Sequence, residues 1–458
     1  MKRILVGILL LALAGAAAMF VWTVTTEDRD FRRLVAQGDG ALAEDQTYLA
    51  IEAFSGALAL RPDSMLAHLK RGETYRRRGE LTAALRDLRM AATLDPSATR
   101  PRELLGDVNY ALRRYAGAAE AYDQFIALDD RSPRVLYKLA VARYRAGDAP
   151  GAIRPLTSAV MLDGRFAEAH YLLGVCLRAT GKVPEARAAL ERALDLSPAF
   201  TAPREELADL YRSTGRRTEA IEQLEALAAL EPAHAERMVA VGLAYAAIGR
   251  PDMAVVTLGR AAERYPEAPS VYTALGRVWL EAAELRNDRV ALSKALEALQ
   301  PLASRAAAPS DALALYGRAL FLSGDAAGAE RMLLLAIERL PVDPTAFLHL
   351  AAASERLGRA AAARDALVSY ASLVDDEDEI QTLAAQVADL SLRANEAAVA
   401  VVWAQKAVGR NPDAFPLALL AEAQWRTGDL DAARATLAAA LAKDPKSRAL
   451  RALKAKIK

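Results

Sequence analysis

Cysteine is almost missing from this 458-residue chain, where Cys176 stands alone. One thiol excludes an intramolecular disulfide, a CxxC redox pair and a cysteine zinc site. Histidine is scarce too: His68, His170, His234 and His349 lie far apart, without HExxH or HxxxH spacing, so no metal is expected. Net charge is nearly nil, 59 Lys+Arg against 58 Asp+Glu, which excludes a strongly basic nucleic-acid binder. Aromatics make up 6% of the chain, and 25 glycines and 20 prolines are too few for a collagen-like or low-complexity protein. GxSxG, Walker A, GxGxxG and SxxK motifs are absent from any fitting context. No nucleophile, base or cofactor site is nominated, so the chain is expected not to be an enzyme. Cys176 sits beside packing positions with no basic neighbour, as a buried inert thiol would. What is present is alanine, within a hydrophobic content of 53%. That content supports a packed core and favours closely packed helices over a β-sandwich or barrel.

The N-terminus reads as a membrane signal. Lys2 and Arg3 precede an apolar run from Ile4 to Val24, closed by Thr25, Thr26, Glu27 and Asp28. Twenty-one residues at about 1.5 Å each span roughly 31 Å, the thickness of a hydrocarbon core. The alternative is a cleaved signal peptide built on Ile4–Leu13 and the small residues after it. The run continues through Met19, Phe20, Val21 and Trp22, longer than such a peptide needs, which favours an anchor. Charge is nearly balanced across it, and the short tail makes N-in, C-out the usual topology. Either fate places the body outside the cytoplasm.

The remainder repeats with a period of 34: Pro62 and Pro96, Gly38, Gly72 and Gly106, and Ala50, Ala84, Ala118, Ala152 and Ala186 all keep that spacing. Such a period marks a helical solenoid. With units counted from Phe31, position 8 is Gly or Ala, position 20 is alanine, and position 24 is large and apolar, as in Phe54, Leu88, Tyr122 and Leu190. Antiparallel helices approach closely only where small side chains line their crossing. Position 15 is glycine in eight units, suited to end the first helix in a left-handed turn, and proline at position 32 stops the second.

This pattern resembles the tetratricopeptide repeat family over residues 31 to 447. The resemblance implies an all-α fold, a right-handed superhelical solenoid of about twelve helix-turn-helix units behind one transmembrane helix. The expected organisation is a cytoplasmic tail 1–3, anchor 4–24, linker 25–30, units one to eight over 31–309, units nine to twelve over 310–447, and a basic capping helix over 448–458. Three departures are visible. Seven residues are inserted in the eighth unit, predicting a longer helix around Glu284–Lys294. Three extra residues precede the eleventh, within the acidic run Asp375–Glu379, expected as a solvated loop. Pro150 suits a helix start, whereas Pro155 is expected to kink or break its helix.

In this family the first helix of each unit lines the concave face, through positions 2, 5, 6, 9, 12 and 13. Carried onto this chain, those slots present Tyr110, Tyr137, Lys138, Tyr144, Arg145, Tyr171 and Arg178, preceded by Lys70, Arg76 and Arg77. Tyrosine and arginine are frequent binding anchors, and the basic set offers a seat for a carboxylate or acidic segment. Phe415, Leu419 and Trp425 occupy the same slots near the C-terminus, as a second, more apolar site. The carboxylate clamp of chaperone-binding relatives needs lysine and asparagines where this chain has Leu69, Glu73 and Leu104, so that activity is not expected. The expected function is a membrane-tethered scaffold binding protein or peptide partners through its groove. Its Ala/Arg-rich composition looks like that of a high-GC bacterium, placing it at the inner membrane with the repeats in the periplasm. Similar anchored repeat proteins assist envelope assembly: exopolysaccharide, lipopolysaccharide, pilus or secretion machinery. The alternative is a binding module for an extracytoplasmic glycan or cell-wall polymer, and the units also permit self-association.

Overall fold

A computed structural model of the chain describes residues 2–409 and 413–457. Among these residues the structure is a succession of 25 helices: twelve antiparallel pairs, one per repeat, and a terminal helix Arg448–Lys456. Two compact units divide within the helix Arg217–Leu230, one covering residues 1–223 and the other 224–458. The expected regrouping of repeats at 309/310 therefore lies inside the second unit.

The first helix, Lys2–Ala43, is continuous, so residues 25–30 belong to it and form no separate linker. Most side chains of the run Ile4–Val24 lie outside the described residues. Among the described residues no helix is long and apolar enough to cross a membrane.

Each repeat folds as its spacing predicts. Gly79, Gly147, Gly181, Gly215, Gly249, Gly324, Gly358 and Gly428 all have positive φ and turn the chain between the two helices. Asp45, Arg113 and Asn395 hold the same slot without being glycine, at φ of 57°, 58° and 61°. The position-20 alanines Ala50, Ala84, Ala118, Ala152 and Ala186 are fully buried at the crossing. Where position 8 is glycine the position-24 side chain fills the space: a Cβ on Gly106 would lie 2.3 Å from the Tyr122 ring. Close packing of this kind is the main source of stability in a repeat whose two helices are each too short to persist alone.

The irregular segments depart from the sequence reading for local reasons. The inserted residues lengthen the first helix of the eighth repeat, Pro269–Arg286, to 18 residues. No helix crosses Glu284–Lys294, however: Asn287 takes a left-handed turn, and the Asp288 side chain caps a new helix, Arg289–Ala303. The acidic run is a loop only at Asp375 and Asp376. Asp376 accepts from the backbone N–H groups of Asp378 and Glu379, and Glu377, Asp378 and Glu379 form the first turn of the helix Glu377–Arg393. Carboxylates at a helix N-terminus are favoured by the exposed N–H groups and the macrodipole. Pro150 starts the helix Ala149–Leu162 as expected, but Pro155 lies inside it without ending it. The terminal helix buries Leu450, Leu453 and Ile457 beside Leu437 and Ala440, and exposes Arg448, Arg451, Lys454 and Lys456.

Candidate protein-binding face

The expected groove residues all lie in the first compact unit, on the first helices of the third, fourth and fifth repeats, Thr99–Ala111, Pro133–Arg145 and Ala167–Ala179. Tyr110, Tyr137 and Tyr171 are half-buried, while Tyr144 and Arg145 are exposed. Position 12 of one repeat stands near position 5 of the next. Tyr137 therefore senses Tyr110, and Tyr171 senses Tyr144, across the repeat boundary. Burial raises the phenol pKa of both Tyr137 and Tyr171, reinforced by Glu168 for the first and Glu206 for the second. These phenols stay neutral and retain their O–H donors.

Part of each ring is committed to packing. Tyr137 lies 4.9 Å from the Phe166 ring and Tyr171 lies 5.2 Å from Phe200, centroid to centroid, each phenylalanine standing just before the following repeat's first helix. Tyr110 meets Tyr115 edge to face at 5.3 Å. Such contacts fix the rings at low entropic cost while leaving one edge to solvent.

The cations behave differently from expectation. Lys138 Nζ donates to Glu103 Oε1 at 2.9 Å and to Asp107 Oδ1 at 2.7 Å, both on the preceding repeat. Arg178 Nη2 lies 2.8 Å from Glu206 Oε2 of the following repeat, an ion pair without hydrogen-bond alignment. Lys70 Nζ donates to Asp39 Oδ1 of the preceding repeat at 2.6 Å. Lys70, Lys138 and Arg178 are thus each matched by a carboxylate one repeat away, whereas Arg145 stands exposed. Burial pulls the Glu103 carboxyl upward, but the Lys138 hydrogen bond and the charges of Lys138, Arg134 and Arg100 outweigh it and hold it below its ordinary value.

Sequence reasoning missed these carboxylates and the phenylalanines. A signal for both was available: Glu103, Asp107 and Glu206 occupy positions 5, 9 and 6, all among the inner slots, and Phe166 and Phe200 recur 34 residues apart.

At the clamp slots, Leu104 is buried in the core and Glu73 accepts from Arg100 at 2.8 Å. Near the C-terminus Leu419 is also core, leaving Phe415 exposed and Trp425 beneath Lys456. Those three residues do not form one apolar surface. Cys176 is fully buried, and burial pushes its thiol up to about 11, away from nucleophilic chemistry.

Signatures of the tetratricopeptide repeat match residues 35–99, 103–160 and 137–199, then 177–241 and 391–457, and 311–334, together more than half of the chain. A small glutamine-rich tetratricopeptide repeat-containing protein 2 of Mycosarcoma maydis is 27% identical over 111 residues, covering 24% of this chain and 32% of that protein. Hsp70-Hsp90 organizing protein 3 of Arabidopsis thaliana is 25% identical over 114 residues, covering 25% of this chain and 19% of that protein. The chain thus spans a third or less of these curated relatives. Among solved structures, YrrB, a TPR protein with an unusual peptide-binding site, is 22% identical at a TM-score of 0.38, covering 40% of this chain and 95% of that one, a likeness of fold. With its helix pairs, left-handed glycine turns and matching signatures, the chain belongs to the tetratricopeptide repeat family.

Proposed function

We propose that this protein is a membrane-tethered scaffold that holds partner proteins or peptides on the first-helix face of its first compact unit. The observation that carries this reading is the tyrosine ladder presented on successive repeats, with Tyr110, Tyr137 and Tyr171 fixed by ring packing and Tyr144 exposed. Because Lys138 and Arg178 are already matched, the ladder reads an extended segment through ring contacts and phenolic hydrogen bonds, not through a cationic clamp. A relative named for organising Hsp70 and Hsp90 supports a scaffolding role in general. The missing clamp argues against those particular clients.

Tethering rests on Lys2, Arg3 and the apolar run Ile4–Val24. With the repeats in the periplasm of a bacterial inner membrane, the partners belong to envelope assembly. The test is capture of the full chain from detergent-solubilised native membranes, beside a Tyr137→Ala, Tyr144→Ala, Tyr171→Ala variant of unchanged helical circular dichroism. Partners identified by mass spectrometry with the wild type and lost with the variant support the reading. Partners retained equally overturn it, and an absence of protein from both samples redirects it to a cell-wall polymer. Tethering predicts that the chain stays with membranes through an alkaline wash and leaves only with detergent.

A further inference from the structure

Within the second compact unit, the seventh and eighth repeats flank an open cleft of about 640 Å³. Its walls are their second helices, Pro251–Arg264 and Arg289–Ala303. Its floor is the stripe Tyr272, Leu275 and Trp279 on the lengthened first helix between them. This volume lies in the range of sites that take a defined ligand.

Three features give the cavity a chemistry. It is open at Gly259, where an added Cβ would meet nothing within 4 Å. A glycine inside a helix weakens it, and the same slot in earlier repeats carries side chains such as Arg89 and Glu191. Charge is the second feature. Some cations of this unit meet a carboxylate one repeat away, as Arg318 meets Glu284 and Arg393 meets Glu355. At the cavity, Lys294 Nζ lies 4.4 Å from the centre of the Trp279 ring. Among the described residues neither Lys294 nor Arg305, which also lines the cavity, forms an ion pair. The third feature is an acceptor. Pro301 has no N–H for the carbonyl of Glu297 four residues back, and both residues line the wall. At the other proline inside a helix, Pro155, an arginine takes over the freed carbonyl. Among the described residues no side chain does so at Glu297.

We propose that this cleft is a second binding site, taking an acidic peptide segment that carries one bulky apolar side chain. The apolar side chain enters over Gly259 against Leu275 and Trp279, flanking carboxylates meet Lys294 and Arg305, and a peptide N–H completes the Glu297 carbonyl. The site stands on the second unit alone and does not rest on the tyrosine ladder.

A phage-displayed library of random dodecapeptides, panned on the detergent-solubilised full chain and in parallel on Gly259→Trp, tests this directly. Helical circular dichroism checks both proteins, and Met161→Trp, at an exposed position of the first unit, serves as a control for an added tryptophan away from the cleft. The expected result is a set of peptides enriched on the wild type and on Met161→Trp, but not on Gly259→Trp, each with a bulky apolar residue next to Asp or Glu. The best of them, titrated by tryptophan fluorescence, should lose at least tenfold in affinity to a Lys294→Glu, Arg305→Glu variant. No enrichment, equal enrichment on Gly259→Trp, enriched peptides without acidic residues, or affinity unchanged by the double charge reversal would each overturn the proposal.

Discussion

Arg143 donates from Nη1 to the carbonyl oxygen of Gly151 at 2.9 Å, the acceptor that Pro155 leaves without its helical N–H. The same guanidinium holds Asp123 through Nη2 at 2.8 and 2.9 Å. A proline in a helix interior costs about 3 kcal/mol or more, because it deletes a hydrogen bond and crowds the carbonyl four residues back. Here the crowded residue is a glycine, and the lost hydrogen bond is replaced from the facing helix.

Arg143→Ala should therefore destabilise the first unit by about 1–3 kcal/mol, the usual range when a partly buried acceptor loses its donor. Urea unfolding of a double-mutant cycle with Pro155→Ala checks this. Restoring the N–H at residue 155 should make the loss of Arg143 cheaper by about 1 kcal/mol. An equal cost in both backgrounds would show that Arg143 acts only through Asp123.

Arg113 stands in the left-handed slot that eight repeats give to glycine, at φ 58°. A non-glycine residue there costs about 1–2 kcal/mol, against which glycine loses some unfolded-chain entropy. Arg113→Gly should raise the urea midpoint by the equivalent of about 0.5–1 kcal/mol. Arg113→Ala should not raise it.

Two glycines in helix interiors should respond to alanine with opposite signs. At Gly106 the new Cβ meets the Tyr122 ring at 2.3 Å, and overpacking of this kind costs about 1–3 kcal/mol. At Gly259 it meets nothing within 4 Å, so the gain in helix propensity, about 0.5–1 kcal/mol, stands alone. Thermal unfolding of the two variants separates them.

Acid should remove one identifiable contribution. Glu103 is held below its ordinary value of 4.5 because the cations of its neighbours outweigh the effect of burial. A depressed carboxyl stabilises the fold fully above the unfolded-state value, and that contribution is lost as pH falls through the folded-state value. Glu103→Gln should thus cost about 1–3 kcal/mol at pH 7, and the gap to wild type should shrink as pH falls below the ordinary carboxyl value of 4.5. A gap independent of pH would mean that the Lys138 ion pair does not stabilise the charged form.

Much of the fold was legible because a repeat states its packing many times over. Ala50, Ala84 and Ala118 can recur at one spacing only if the same helix crossing recurs, and the glycines at position 15 read directly as turns. Pro155 was misread because its remedy, Arg143, lies on another helix, and local sequence rules see only the broken hydrogen bond. The acidic run was misread for a related reason: the N–H groups that favour Glu377 and its neighbours exist only once the helix has formed. On the candidate face the tyrosines were found from their slots. The neutralisation of Lys138 and Arg178 was not, because each pairing joins side chains of different repeats and depends on how the repeats stack.

Whether the tyrosine ladder contacts a partner is tested most directly by site-specific photo-crosslinking in the native cell. A benzophenone amino acid replaces Tyr144 on the first helix of the fourth repeat, or Met161 on its second helix, where the side chain is 80% exposed. The account predicts a protein adduct from position 144 that is absent from position 161. Adducts from 161 alone, or equally from both, would contradict it.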